Sequence, residues 1–78
     1  MPDQVIQHTG RGYLIWCRNT SGYHFMSSGR ASWLRNFLAN GAGRVVHFNV
    51  GTDSGSHTVW LYPDDHQAYL DALDSWGL

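Results

Sequence analysis

The sequence contains no lysine and no glutamate, so each of its five cations is an arginine and each of its six anions is an aspartate. GC-rich genomes favour arginine codons, and we therefore expect a bacterial or phage source. A chain without lysine is also a poor substrate for direct ubiquitylation. Residues 53–58 loosely match a phosphodegron pattern, but for that reason we do not expect them to act as one.

Cysteine and long apolar runs are scarce as well. Cys17 is the only cysteine, so no disulfide can form within the chain. This excludes a disulfide-stapled secreted scaffold and favours a reducing compartment. The first residues are acidic and polar, unlike the start of a signal peptide, and no apolar run approaches the roughly 20 residues of a membrane span. We expect a soluble, cytoplasmic protein with no membrane partner.

Familiar metal and nucleotide motifs are missing too. The five histidines and the cysteine show no Cys-x-x-Cys or His-x-x-x-His spacing, so we expect no metal site and no cofactor. The glycine-rich stretch at 41–44 follows a predicted helix and precedes a predicted strand, the reverse of the order in a phosphate-binding loop. The triplet Asp53-Ser54-Gly55 resembles the residues around a serine-protease nucleophile. These residue types are common in any turn, and a catalytic triad needs a larger scaffold, so we expect no protease.

What the sequence does contain is a high proportion of apolar and aromatic residues. Hydrophobic residues make up 42% of the chain and charged residues only 14%, and four of its aromatics are tryptophan. Each such ring can bury about 150–250 Å², which lets a short chain build a core. We therefore expect one small domain over residues 1–78, with no room for a second core.

The charges are divided between the two halves of the chain. Residues 1–44 hold all five arginines and Asp3, a formal charge of +4, and residues 45–78 hold the other five aspartates, a formal charge of −5. The net charge of −1 hides this dipole. It suggests charged partner surfaces, or two halves that neutralise each other within one chain or in a symmetric homodimer.

Period-two and period-3.6 patterns alternate along the chain. A short optional strand at its start is followed by two units of hairpin and helix. Strands are predicted at 4–9, 13–18, 23–27, 44–50 and 57–62, and helices at 30–40 and 64–76. The simplest packing is a single small α+β domain in the order (β)ββαββα, in which one antiparallel sheet of four to five strands carries both helices on one face.

The outer face of the last helix is predicted to be an acidic ridge. Asp64, Gln67, Asp71 and Asp74 fall together at helical spacing, and no basic residue stands four positions further on to neutralise them. Such a ridge could bind an arginine- or lysine-rich surface on a larger protein. A plain solvated helix face accounts for the same pattern.

A second candidate surface combines arginines with an aromatic side chain. Sheets that bind single-stranded RNA use exposed aromatic side chains to stack on its bases. The low sequence pI of about 6.5 weakens this nucleic-acid alternative, because a basic domain is the usual footprint. Its predicted members are Arg11, Arg18, Arg35, Arg44 and Trp33.

A small histidine-dependent hydrolase is a third alternative. His47 and His57 fall on strands that are predicted to pair across a turn at 51–56, where the two rings could face each other. Neither is followed by a hydroxyl residue two positions later, as paired-histidine phosphoesterases require. The spacing of the histidines along the sequence therefore identifies none of them as a catalytic residue.

The leading hypothesis is a small non-enzymatic protein-binding module, an inhibitor or adaptor that docks on a larger protein or complex. Tryptophan, tyrosine and arginine, which are abundant here, are the residues most enriched at interface hot spots. One concrete case is a phage or mobile-element inhibitor of a bacterial defence complex that acts through the acidic helix face.

Overall fold

The structure is a computed structural model that describes residues 2–41, 43–52 and 55–78. It is a small α+β domain with two antiparallel sheets, two α-helices and a short 3-10 turn. In chain order the elements are β1 (Ile6–His8), β2 (Tyr13–Cys17), β3 (Gly22–Met26), α1 (Ser28–Ala39), β4 (Val46–Thr52), β5 (Gly55–Leu61), the 3-10 turn (Pro63–Asp65) and α2 (His66–Ser75).

The first sheet is a three-stranded meander in the order β1-β2-β3. Its central strand alternates as a strand with one buried face should: Tyr13, Ile15 and Cys17 are buried, and the residues between them are partly exposed. Ile15 pairs with both Ile6 of β1 and His24 of β3. The apolar alternation in β2 therefore sets the register of the whole sheet.

The second sheet is the β4–β5 hairpin. Val46 pairs with Leu61 and Phe48 with Val59, and all four side chains are buried on the inner face. The outer face carries polar and aromatic side chains that remain exposed. Asp53 and Ser54, which the sequence assigned to the turn of this hairpin, and Ala42 in the loop before it lie outside the described residues.

The single sheet of four to five strands expected from the sequence is not found among the described residues, whose strands form two sheets, β1-β2-β3 and β4-β5. The carbonyl oxygen of Thr58 in β5 lies 3.3 Å from the Asn19 side-chain nitrogen and 3.9 Å from Cys17 Sγ. The His24 ring of β3 packs on the His57 ring of β5, with centroids 4.6 Å apart. Side chains thus join the two sheets at this junction.

Helix α1 begins and ends at residues with recognisable roles. The Ser27 hydroxyl accepts a hydrogen bond of 3.1 Å from the Arg30 backbone N–H, as an N-cap serine does. Gly41 follows the helix with a φ of 73°, a left-handed conformation that glycine adopts without strain. Between these ends the helix buries Ala31, Leu34 and Leu38.

Helix α2 is tied to the first sheet by two hydrogen bonds from aromatic side chains. The Tyr69 hydroxyl donates to the Trp16 carbonyl oxygen at 2.6 Å. Burial raises the pKa of Tyr69, with a further contribution from Asp65, so this hydroxyl keeps its proton. Just past the helix, the Trp76 indole N–H donates to the Ile6 carbonyl at 3.0 Å and covers part of the free edge of β1.

Both sheets and both helices contribute to one hydrophobic core. Fully buried side chains include Ile15 from β2, Leu34 from α1, Leu61 from β5 and Leu73 from α2. No helix in the described part of the chain is long and apolar enough to cross a membrane.

Replacing Tyr69 with phenylalanine is expected to lower the free energy of unfolding by about 1–2 kcal/mol, because the Trp16 carbonyl loses its donor at the buried end of the bond. Urea denaturation of the variant and the wild type measures the difference. Tyr13→Phe removes a hydroxyl from another buried tyrosine and is the matched control. A loss for Tyr69→Phe no larger than for the control would contradict this role of the bond.

Acidification is expected to destabilise the fold through His24. Burial, and secondarily the neighbouring His57, lower the pKa of His24 below its ordinary value of 6.5. The unfolded chain therefore takes up a proton on this ring at a higher pH than the folded chain. The free energy of unfolding should fall as the pH drops below about 6.5, and this contribution should vanish above about pH 7.5.

Urea denaturation at about pH 7.5, 6.5 and 5.5 checks this dependence. His24→Gln should flatten the profile, whereas His47→Gln, on the exposed outer face of the hairpin, should leave it unchanged. Equal profiles for the two variants would rule out His24 as the source.

Candidate docking surface

The predicted acidic ridge is exposed but only partly free. Asp64, Gln67, Asp71 and Asp74 all reach solvent, as the helical spacing predicted. The Asp74 carboxylate, however, accepts a bond of 2.9 Å from Arg35 Nε of α1. The Gln67 side chain donates to Asp71 at 2.7 Å. The ridge therefore keeps Asp64 and Asp71 as its carboxylates without a cation partner among the described residues.

The predicted basic surface is not gathered in one place. Arg18 pairs with Asp65 at 3.0 Å and lies over the Tyr62 ring, and Arg35 is held by Asp74. Arg11 lies in the turn between β1 and β2. Arg44 is the member of the predicted set that shares a groove with Trp33. Two of the five arginines thus neutralise aspartates of the second half, which reduces the dipole implied by the sequence.

Trp33 of α1 is the centre of an aromatic cluster. Its ring lies 5.4 Å from that of Phe37 and 5.6 Å from that of Phe48, the latter in an edge-on arrangement. The Arg30 guanidinium lies over both the Trp33 ring, at 5.1 Å, and the Phe48 ring, at 5.7 Å. Contacts of this kind are cation–π interactions. They hold Arg30 on the surface between α1 and β4.

Two shallow grooves lie between β4 and the elements beside it. The first has a volume of ≈ 320 Å³ and is lined by Trp33, Phe37, Arg44, Val45 and His47, with Val46 at its base. The second, of ≈ 310 Å³, runs past the end of β3 and the start of α1. It is lined by Phe25, Met26, Ser27, Arg30, Asn49, Val50 and Gly51.

Large hydrophobic side chains are exposed along these grooves. Phe25, Trp33, Val45 and Trp60 expose between 36% and 43% of their surface. Trp60 adjoins the first groove through His47, whose ring lies 4.9 Å from its own. We call this continuous region the α1–β4 surface; its members are Phe25, Arg30, Trp33, Phe37, Arg44, Val45, His47 and Trp60.

The α1–β4 surface is also positively charged. The ion pairs of the described residues involve Arg18 and Arg35, and neither Arg30 nor Arg44 takes part in one. The surface thus combines accessible aromatic area with two cations. Two of its eight members, Trp33 and Arg44, belong to the basic surface predicted from the sequence. The missing signal is a tertiary one, because the other six members come from β3, α1, β4, β5 and the loop before β4.

The two histidines of the hydrolase alternative do not face each other, so that expectation is wrong. The register pairs His47 with Trp60 and His57 with Val50. Since these positions differ by an odd number along β4, the two rings lie on opposite faces of the hairpin. Within residues 2–41, 43–52 and 55–78, no three histidine, cysteine or aspartate side chains converge on a metal-binding arrangement.

The chain matches no protein-family model, no curated protein and no solved structure at a significant level.

Proposed function

We propose that the protein is a small non-enzymatic protein-binding module, an adaptor or inhibitor that docks on a larger protein through the α1–β4 surface. The observation that carries this proposal is the grouping, on one side of the molecule, of four exposed large hydrophobic side chains with two arginines that form no ion pair among the described residues.

The chemistry of this surface supports a protein interface. Tryptophan and arginine are enriched at hot spots, where they cluster near the centre of the buried area. Trp33 and Arg30 stand together at such a centre, with Phe37 beside them. Contiguous exposed apolar area on a soluble domain marks an interaction site more often than scattered single residues do.

A protein partner is favoured over nucleic acid by what the arginines and tryptophans already contact. Arg30 covers the Trp33 ring, which removes a face on which a base would stack. Arg18 and Arg35 are used in ion pairs within the chain. Few cations therefore remain to neutralise phosphates, which supply most of the affinity for nucleic acid.

The acidic ridge is the weaker docking surface of the two. Mimicry of nucleic-acid charge needs several carboxylates without cation partners, and among the described residues the ridge keeps only Asp64 and Asp71 in that state. A phage or mobile-element inhibitor of a bacterial defence complex remains one form that the proposed function could take, now with the α1–β4 surface as its contact.

Arg44→Glu is expected to weaken capture of the partner from a host lysate at least about tenfold, a cost typical of a hot-spot arginine. Immobilised wild type and variants, nuclease-treated lysate and quantitative mass spectrometry measure this. Arg11→Glu makes the same charge change on an exposed arginine outside the surface and should retain the partner.

Three results would count against the α1–β4 surface. Equal capture by the Arg11→Glu and Arg44→Glu variants would remove it as the docking site. Loss of the partner in an Asp64→Asn, Asp71→Asn variant would assign docking to the acidic ridge. Partners that disappear on nuclease treatment would favour the nucleic-acid alternative.

A further inference from the structure

We propose that the free edge of β4 binds its partner by strand addition, and that the added strand is an extended acidic segment of the partner protein. The inference rests on the proposed function and names the way in which the α1–β4 surface would be used. Its support comes from the direction of backbone groups in the hairpin, from the treatment of the other sheet edges, and from charge.

The backbone direction follows from one carbonyl. Thr58 of β5 accepts side-chain contacts from Asn19 and Cys17, so its carbonyl oxygen points away from β4. Thr58 is paired with Asn49 in the register of the hairpin. Because the Thr58 carbonyl points outward, this is a non-hydrogen-bonded pair, in which both residues direct their N–H and C=O groups away from the partner strand. The backbone groups of Asn49 therefore point to the free edge of β4.

The same direction repeats at every second residue. His47 and Gly51, two positions before and after Asn49, belong to pairs of the same type. At about 3.4 Å per residue, residues 47–51 present an edge of roughly 14–17 Å with alternating donors and acceptors. Within the described part of the chain, β4 pairs with β5 and with no other strand.

At two other sheet edges, one outward carbonyl is covered by a side chain. The Trp76 indole donates to the outward Ile6 carbonyl of β1, and Asn19 donates to the Thr58 carbonyl of β5. No hydrogen bond among the described residues reaches the outward backbone groups of His47, Asn49 or Gly51. An uncovered edge is a template for pairing with another chain.

The two grooves flank this edge at its two ends. Trp33, Phe37 and Val45 line the groove at the start of β4, and Phe25 with Met26 lines the groove at its end. Because successive side chains of a strand point to opposite faces, a strand added to β4 would direct every second side chain toward these grooves. Main-chain bonds then give affinity and the grooves give selectivity, as in other cases of strand addition.

The positive charge of the two grooves indicates which kind of segment would be added to β4. Arg44 lines one groove and Arg30 the other, and neither is used in an ion pair of the described residues. Aspartate or glutamate side chains on the added strand would complement both arginines. A second copy of this chain that paired through its own β4 would not, since Val46–Thr52 contains no carboxylate.

The test uses labelled synthetic peptides and the full chain. The probe is a seven-residue peptide of alternating aspartate and valine. One matched control replaces each aspartate with lysine, and another carries N-methyl groups on alternate amides in the register that would bond to β4. Fluorescence anisotropy measures affinity, and backbone amide shifts locate the site.

We expect the acidic peptide to bind at least about tenfold more tightly than either control. Its largest amide shifts should fall on His47, Asn49 and Gly51. Asn49→Pro removes an outward N–H without breaking the β4–β5 ladder and should abolish binding. Asn49→Ala loses the same side-chain bond to Thr58 but keeps the N–H, and should bind as the wild type does.

Equal binding of the N-methylated peptide would overturn strand addition, and this result does not depend on whether the proline variant folds. Equal binding of the lysine peptide would overturn the acidic partner. Displacement of the peptide by an oligothymidylate would reassign the groove to nucleic acid, and a dimer dissolved by Asn49→Pro would reassign the edge to a second copy. If the peptide fails while Arg44→Glu still abolishes capture of the protein partner, strand addition falls and the proposed function stands.

Discussion

The junction between the two sheets is the constraint on which the rest of this fold depends. At that junction Asn19, Cys17 and His24 meet Thr58 and His57 through side chains. A side chain that caps a carbonyl ends a sheet, because the backbone group is already satisfied when another strand approaches. The hairpin therefore remains a separate sheet, and its other edge along β4 faces the grooves beside α1.

Folding also pairs some of the charged side chains with each other. The sequence separates arginines from aspartates so strongly that two oppositely charged surfaces were expected. Folding brings Arg35 to Asp74, because α1 packs beside α2. It also brings Arg18, in the turn after β2, to Asp65 in the 3-10 turn before α2. What remains for a partner is a smaller and more specific pattern, with two cations set among exposed aromatic side chains.

Local sequence patterns predicted most of the elements but not how the sheets would meet. The alternation of Tyr13, Ile15 and Cys17 and the turn-rich stretches around the strands are local signals, and they predict strands near their observed positions. How the two sheets meet depends on contacts such as that of Asn19 with the Thr58 carbonyl, 39 positions away, and no periodicity contains that information. For the same reason Trp33 and Arg44 could be named as binding residues from the sequence, whereas Phe25, Val45 and Trp60 joined them only through the tertiary structure.

The bond between Trp76 and Ile6 spans 70 positions of the chain, and this separation matters while the protein is being made. At about 5–20 residues per second, the ribosome needs roughly 3–10 s to proceed from the end of β3 to residue 76. The nascent meander can form during that interval, but the outward carbonyl of Ile6 has no cover until the indole has left the exit tunnel. The first sheet therefore has an uncovered edge carbonyl early in synthesis, and the Trp76 indole covers it only at the end.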